Sequence, residues 1–239
     1  MTLYLVTSGR SWYAFERLAW DYTLTDEEIA DECERMTFSN APRVIQPIRN
    51  IMMASREAWV NYRLPLGLTH LYAHGHHYGP AAWTADLSRA DWTAVYYHRV
   101  NEYGIGFDRT ETGYNAVEQY NEPVAEVFAN FKRIPDEYLL WFHHMSWDHP
   151  MKSGHTLWDE LFFKYYEGAE TVRWMQNLWS SLEGLIDEHR FEQVKAMLHI
   201  QVRDAIRWWD SCVLYFQSFS GLPIPDSYEK PEHNLQYYI

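Results

Sequence analysis

Between Gly67 and about Gly113 the three- and four-residue spacing of apolar side chains that marks most of this sequence disappears. In its place come glycines, aromatic rings and the histidines His70, His74, His76, His77 and His98. A stretch of that length without regular structure is usually either functional or disordered, and its ring content decides between the two. Disordered segments are poor in aromatics, whereas this chain of 239 residues holds 12 Trp, 18 Tyr and 11 Phe, spread nearly end to end. The stretch is therefore expected to fold. With 47% hydrophobic residues the chain can bury one sizeable core, or a core plus a smaller appendage. Its flanks read as helices, so the expected class is all-α: an irregular helical domain with a long aromatic- and His-rich loop region.

The helices announce themselves by their ends. Thr25-Asp26-Glu27-Glu28 is a capping box, in which hydroxyl and carboxylate satisfy each other's free backbone amides, and a short helix should follow to about Phe38. Asn40 and Pro42 read as N-cap and early first turn of a helix running through Tyr62. Pro47 falls near the end of its first turn, where the missing amide costs little, and Leu64-Pro65-Leu66-Gly67 stops it. Helices return after Pro123, one of them predicted from Pro135 to His144. Thr156-Leu157-Trp158-Asp159 opens a long one that places Leu157, Leu161, Tyr165, Ala169, Val172 and Trp179 on one face. Asp187 caps another, with Phe191, Val194, Leu198, Val202, Ala205, Trp209, Val213 and Phe216 at helical steps. Ser220-Gly221, Pro223 and Pro225 end it. No element is predicted in the polar, aromatic tail from Asp226, and neither a repeat nor a low-complexity linker divides the chain.

Charge and cysteine content exclude several function classes. Lys and Arg number 20 against 33 Asp and Glu, a formal net charge of −13, and no local basic cluster offsets it. Phosphate backbones would repel such a surface, so nucleic acid is a poor partner. No apolar run approaches the roughly 18 residues needed to span a bilayer, so no membrane partner is expected. Cys33 and Cys212 lie far apart, with no metal-type spacing. A reducing, cytoplasmic compartment fits them, together with the lack of any Asn-x-Ser/Thr sequon. The first residues, Met1 to Gly9, have no basic flank and only a very short apolar patch, and are not expected to be a signal peptide. Secretion is the alternative, should a longer N-terminus carry a signal.

Several chemical motifs can be tested directly. Gly104-Ile105-Gly106 opens like a dinucleotide fingerprint, but Arg109 occupies the third glycine's place and no strand pattern precedes it. Neither His-Glu-x-x-His nor Gly-x-Ser-x-Gly occurs. His74, His76 and His77 could bind zinc or copper, yet no Cys or carboxylate completes the set at close range. The expectation is hydrogen bonding to backbone and substrate, with no metal and no cofactor. His143-His144 sits at a predicted helix C-terminus, where the helix dipole favours imidazolium and a structural role. Most glycosidases need a pair of carboxylates. Asp86, Asp91, Glu102, Asp108 and Asp148 are the non-helical candidates, and nothing singles out two of them. Asp108-Arg109 reads as a local ion pair that fixes the loop.

Within the loop region longer words become recognisable. Asn61-Tyr62-Arg63-Leu64-Pro65-Leu66-Gly67, Gly75-His76-His77-Tyr78-Gly79-Pro80 and Ala90-Asp91-Trp92-Thr93-Ala94-Val95-Tyr96-Tyr97-His98-Arg99 resemble the C-terminal region of family 67 alpha-glucuronidases. So do Gly104-Ile105-Gly106-Phe107-Asp108-Arg109-Thr110, Leu139-Leu140-Trp141-Phe142-His143-His144, Lys152-Ser153-Gly154-His155-Thr156-Leu157-Trp158-Asp159-Glu160-Leu161 and Tyr228-Glu229-Lys230-Pro231-Glu232-His233. The likeness runs from about Arg10 to the end, with Met1 to Gly9 matching nothing. Glu16 stands where the family usually has Gly, Cys33 where it has Trp, and His155 where it has Arg or Lys.

The resemblance implies a longer enzyme with an N-terminal β domain, a (β/α)8 barrel carrying the catalytic acid and base, and then this helical domain. Residues 1–20 would be an unmatched stub plus a remnant of the last barrel helix, and 21–239 the C-terminal domain. The implied activity is inverting hydrolysis of glucuronic acid or its 4-O-methyl ether, α-1,2-linked to the terminal xylose of xylo-oligosaccharides. No catalytic residue is expected here, because those roles belong to the missing barrel. Trp92 is the expected sugar-packing indole, with Trp83 second, and Tyr97, His98, His76 and Arg109 as neighbours that shape the pocket. The resemblance also implies a homodimer. The alternative reading is a non-catalytic module that dimerises or grips xylo-oligosaccharide without cleaving it.

Overall fold

The computed structural model describes residues 3–75 and 77–239. The described chain is mostly helical, as the periodicity predicts. Its long helices are α1 (Leu3–Trp20), α2 (Asp26–Thr37), α3 (Pro42–Arg63), α7 (Leu157–Ser180) and α8 (Glu188–Ser220). Between α3 and α7 stand only short elements: α4 (Ala94–His98), β1 (Gly104–Ile105), α5 (Val124–Ala129), α6 (Leu139–Phe142) and β2 (Met145–Ser146). A last turn, α9 (Leu235–Tyr238), lies in the tail, where the sequence predicts none. The two strands pair antiparallel, Gly104 opposite Ser146 and Ile105 opposite Met145. No described helix is long and apolar enough to cross a membrane.

Two compact units alternate along the chain. The first takes the chain up to Trp59 together with Gly168–Ala205, and the second takes Val60–Glu167 and Ile206–Ile239. In the first, the Thr25 capping box forms as its residue types require: Glu28 N donates to Thr25 Oγ1 at 3.3 Å, and Thr25 N donates to Glu28 Oε2 at 2.9 Å. Arg17 and Tyr13 on α1 both donate to Glu32 on α2, and Arg49 on α3 reaches Asp31 at 3.0 Å. The core is aliphatic, with Ile29, Val44, Ile48, Ile51, Val172 and Leu198 buried. Trp179 completes it by stacking on Phe191, donating its indole N–H to the Phe191 carbonyl at 3.1 Å and meeting Phe38 edge-on. Asp187 caps α8 through its Oδ1, which accepts from Arg190 N at 3.0 Å.

The second unit is built around rings. Trp209, only 1% exposed, meets Phe162 and Tyr166 edge-on, and Tyr228 from the tail packs on the same two rings. Three indoles donate to carbonyls of irregular segments: Trp147 to Asn101, Trp158 to Pro223 and Trp208 to Tyr78. Buried indoles usually find such a partner, and here each of the three fixes a stretch of loop, whereas the Trp209 N–H has no hydrogen-bond partner among the described residues. The helix predicted from Pro135 to His144 is shorter, a 3-10 turn at Asp136–Tyr138 followed by the one-turn α6. The carbonyls of Leu140 and Phe142, which a continuing helix would use, instead accept from Phe107 N and Arg109 N at 3.0 and 2.9 Å. Tertiary pairing has taken over the helix end.

Candidate functional site

Trp92 is held between two local devices. Residues Ala90–Trp92 form a 3-10 turn, and Thr93 then caps α4, its hydroxyl accepting from Tyr96 N at 3.3 Å and donating to Ala90 O at 2.7 Å. Arg99, in the left-handed region at φ 46°, ends that helix after five residues. So short an element fixes the backbone while leaving the Trp92 indole 45% exposed. Arg89 grips Asp91 with two bonds of 2.9 and 2.5 Å and lays its guanidinium 5.2 Å from the Trp92 ring. His74 stacks on the indole at 5.8 Å and 21°. It comes from a loop pinched shut by the Tyr72–Pro80 bridge and the bond from Ala73 N to Gly79 O.

Behind this surface runs a column of flat groups. His70 stacks on Tyr97 at 4.1 Å and 16°, and Tyr97 stacks on Trp141 at 6.1 Å and 15°. The Arg109 guanidinium lies 3.7 Å from the Trp141 ring centre and 4.0 Å from that of Phe107. The hydroxyl of Tyr97 donates to Asp91 O at 2.9 Å, which ties the column to the turn that carries Trp92. Arg109 is 6% exposed, and its Nη1 donates to Trp141 O. Burial draws its pKa down to about 10, so it remains a cation at neutral pH. The predicted Asp108–Arg109 ion pair does not form among the described residues. Asp108 instead accepts from Thr110 N, Thr110 Oγ1 and Thr112 Oγ1, closing a polar turn, while Arg109 turns to the π faces of its ring neighbours.

His98 belongs to the framework. It is 1% exposed, with Nε2 against Ala82 O at 2.9 Å and Nδ1 accepting from Val100 N at 3.1 Å. Those partners fix the tautomer with the proton on Nε2, and burial lowers its pKa to about 4. Trp83 is half-buried and meets Tyr215, the ring that also faces His98. The structure thus joins Trp92, Tyr97 and Arg109 through shared neighbours, and groups Trp83 with His98 around Tyr215. His76 lies outside the described residues. His74, expected as a hydrogen-bonding histidine, instead stacks on Trp92. The sequence does not single out Arg89, His70, Phe107 and Trp141 as site residues: Arg89 acts locally on Asp91 and Trp92, while the other three depend on ring pairings between separate segments that no local spacing encodes.

The remaining candidates resolve on simple physics. Gly104 and Gly106 serve close backbone approach, since a Cβ there would fall 2.0 Å from Met145 O and 2.1 Å from His143 O. His143 is buried, with Nε2 on Phe128 O at 2.8 Å, and burial lowers its pKa. The imidazolium expected there from the helix dipole is therefore corrected to a neutral ring, because desolvation outweighs a one-turn helix. Among the described residues no group of three or more His, Cys, Asp or Glu could hold a metal ion. The hydrogen bonds from Arg89 hold Asp91 below the ordinary carboxylate range. Burial alone would raise Asp108, but the bonds from Thr112 and Thr110 outweigh it and leave its pKa lowered. A general acid needs the opposite shift. Burial does raise Asp210, but that carboxyl is buried and accepts from Tyr238 OH at 2.6 Å.

The family described as the C-terminus of glycosyl hydrolase family 67 matches residues 7–229. The chain belongs to that family. The match takes in residues 7–9, so the unmatched stretch is shorter than the predicted Met1–Gly9, and it closes at residue 229. Among curated relatives, the probable alpha-glucuronidase A of Aspergillus niger is 36% identical over 219 residues, 88% of this chain and 25% of its own length. Alpha-glucuronidase A of Aspergillus tubingensis is 35% identical over 219 residues, and that of Emericella nidulans 35% over 215, with the same shares covered. The family 67 chain therefore spans about a quarter of the length of the curated relatives it matches.

Proposed function

We propose that this chain is the C-terminal part of a xylan α-1,2-glucuronidase, contributing a sugar-packing wall but not the catalytic acid and base. The exposed Trp92 indole, braced by Arg89 and His74, carries this reading. An indole face buries the apolar C–H surface of a pyranose, and a loop residue on a rigid base is where such a contact belongs. Inverting hydrolysis needs a carboxylic acid and an opposing carboxylate roughly 6.5–9.5 Å apart, and Asp91 and Asp108 are both held toward the ionised form by their hydrogen bonds. The substrate of the complete enzyme would be a xylo-oligosaccharide bearing glucuronic acid or its 4-O-methyl ether. Its place would be the cytoplasm, in keeping with the buried free thiols of Cys33 and Cys212.

The test joins this chain to the upstream three quarters of a family relative. Trp92→Ala should then lower kcat/KM for the oligosaccharide at least about tenfold, the scale of one lost buried apolar contact, while the fold stays intact. Unchanged kinetics, or unfolding of the variant, would each sink the assignment. A second reading, an assembly module, is favoured by Trp12, Phe15, Trp20 and Tyr22, all strongly exposed in the first unit, with Trp20 at 89%. Trp12 and Phe15 meet edge-on at 6.4 Å, exposed apolar surface can mark an interaction site, and a homodimer is the partner this reading proposes. A clean monomer in sedimentation at tens of micromolar would dismiss it.

A further inference from the structure

A cavity of about 270 Å3 opens between residues 131–139 and 149–152 of the second unit. Its floor is apolar, with Leu139 and Met151 buried, and the exposed Phe131 ring forms one wall. Its rim is polar. Lys132 and Lys152, two of only five lysines in a chain of net charge −13, face the same space with His149 and Asp136. Lys152 is anchored: its Nζ donates to Ile134 O at 2.5 Å and pairs with Asp136 Oδ1 at 3.1 Å, which leaves one N–H to give. Lys132 pairs with no carboxylate among the described residues, its ammonium lying 5.8 Å from the Phe131 ring centre. The backbone beneath it is pinned, since Lys132 N donates to Asn130 Oδ1, and Arg133 N and Ile134 N both donate to Asn130 O. His149 stands edge-on to Phe131 at 5.7 Å.

These groups ask for a ligand with three properties. The free Lys132 ammonium and the spare Lys152 proton call for an anionic oxygen pair. Asp136 is an acceptor that rewards hydroxyl donors and opposes a polyanion such as phosphate. The Phe131 face and the buried floor reward apolar C–H surface. The volume sits just below the roughly 300–1,000 Å3 of ordinary ligand pockets, so it takes one ring rather than an oligosaccharide. A pyranose bearing a single carboxylate meets all three demands. A neutral sugar leaves the lysines unused, and a simple anion leaves Phe131 and Asp136 unused.

We propose that this cavity binds a hexuronate, its carboxylate against Lys132 and Lys152, a ring face on Phe131 and hydroxyls toward Asp136 and His149. The site is separate from Trp92 and goes beyond the reading above, since it would bind whether or not the chain takes part in hydrolysis. Protein-observed NMR titration of the whole chain with D-glucuronate, D-glucose and acetate tests it. Glucuronate should bind at least about tenfold more tightly than either control, and Lys132→Ala should remove that advantage, the scale expected for one charge-assisted hydrogen bond. Lys132 is exposed, so its variant keeps the fold, and Trp92→Ala should leave the affinity unchanged. A glucuronosyl-xylotriose titrated in parallel distinguishes a branch still attached from a released sugar, and either must depend on Lys132. Equal binding of acetate would show a simple anion site, and equal binding of glucose would show that the carboxylate is not read. Either result, no binding at all, or loss of binding with Trp92→Ala but not Lys132→Ala, overturns the proposal.

Discussion

The first unit and the loop region of the second are held together in different ways. In the first, helix ends are set by residues one turn away, such as Thr25 with Glu28 and Asp187 with Arg190, and the core is mainly aliphatic, closed by Trp179. In the loop region the backbone follows side chains that arrive from distant segments: Tyr97 between His70 and Trp141, and Arg109 between Trp141 and Phe107. Local rules build a framework by repetition, so its stability is spread over many small contacts. The loop region, proposed above as a recognition surface, is fixed instead by a few specific stackings, and removing one of them should disturb shape more than stability.

That contrast can be broken most forcefully in the first unit. Trp179→Ala removes a stacked, hydrogen-bonded indole from its core and should cost about 3–5 kcal/mol, the range for large-to-small core substitutions. Urea unfolding measures it, and a loss under about 1 kcal/mol would mean the unit's core is not where the structure places it. Next comes acid sensitivity at the base of the loop region. His98 is neutral when folded, with a pKa of about 4 against an ordinary 6.5. As pH falls through 6.5 the unfolded chain takes up the proton first, so the stability that burial of the neutral ring permits is present above 6.5 and is lost progressively toward pH 4. At 1.36 kcal/mol per pKa unit the whole effect is on the order of 3 kcal/mol. Unfolding curves at successive pH values should show it, and His98→Gln, which cannot take that proton, should flatten the profile. The smallest effect is the most local. Arg109→Lys keeps the charge but loses the planar stack and should cost about 1–2 kcal/mol, with near-UV circular dichroism changing at Trp141 and Tyr97. Unaltered spectra would mean that the column does not set the loop's shape.

The same division explains what could be read in the sequence. Thr25, Asp187, Leu157, Trp179 and Ser220-Gly221 each signal within one or two turns, and α2, α3, α7 and α8 follow those signals closely. The helix expected over 135–144 shortens because Phe107 N and Arg109 N, some thirty residues upstream, take its carbonyls. Asp108 and Arg109 look like an ion pair when adjacent residues are read together, yet Thr110, Thr112 and Trp141 draw them to different partners. Trp92 could be singled out from the family's words, but not Arg89 beside it, nor the stacking of His74 on its ring. The Lys132 cavity joins residues 131–139 to residues 149–152, and although Leu139 and Lys152 each belong to a family word, nothing in either word pairs them with Lys132.

The central proposal is that this family 67 chain would contribute to sugar recognition without itself performing the hydrolysis. Uniform binding contacts do not lower a chemical barrier, and loss of essential catalytic groups typically removes several orders of magnitude in rate. The direct measurement is to incubate the purified chain with a glucuronic-acid-substituted xylotriose and follow free glucuronate over days. The account predicts release at the uncatalysed background alone. Turnover above that background, abolished by Asp91→Asn or Asp108→Asn, would contradict it and place the chemistry in the loop region after all.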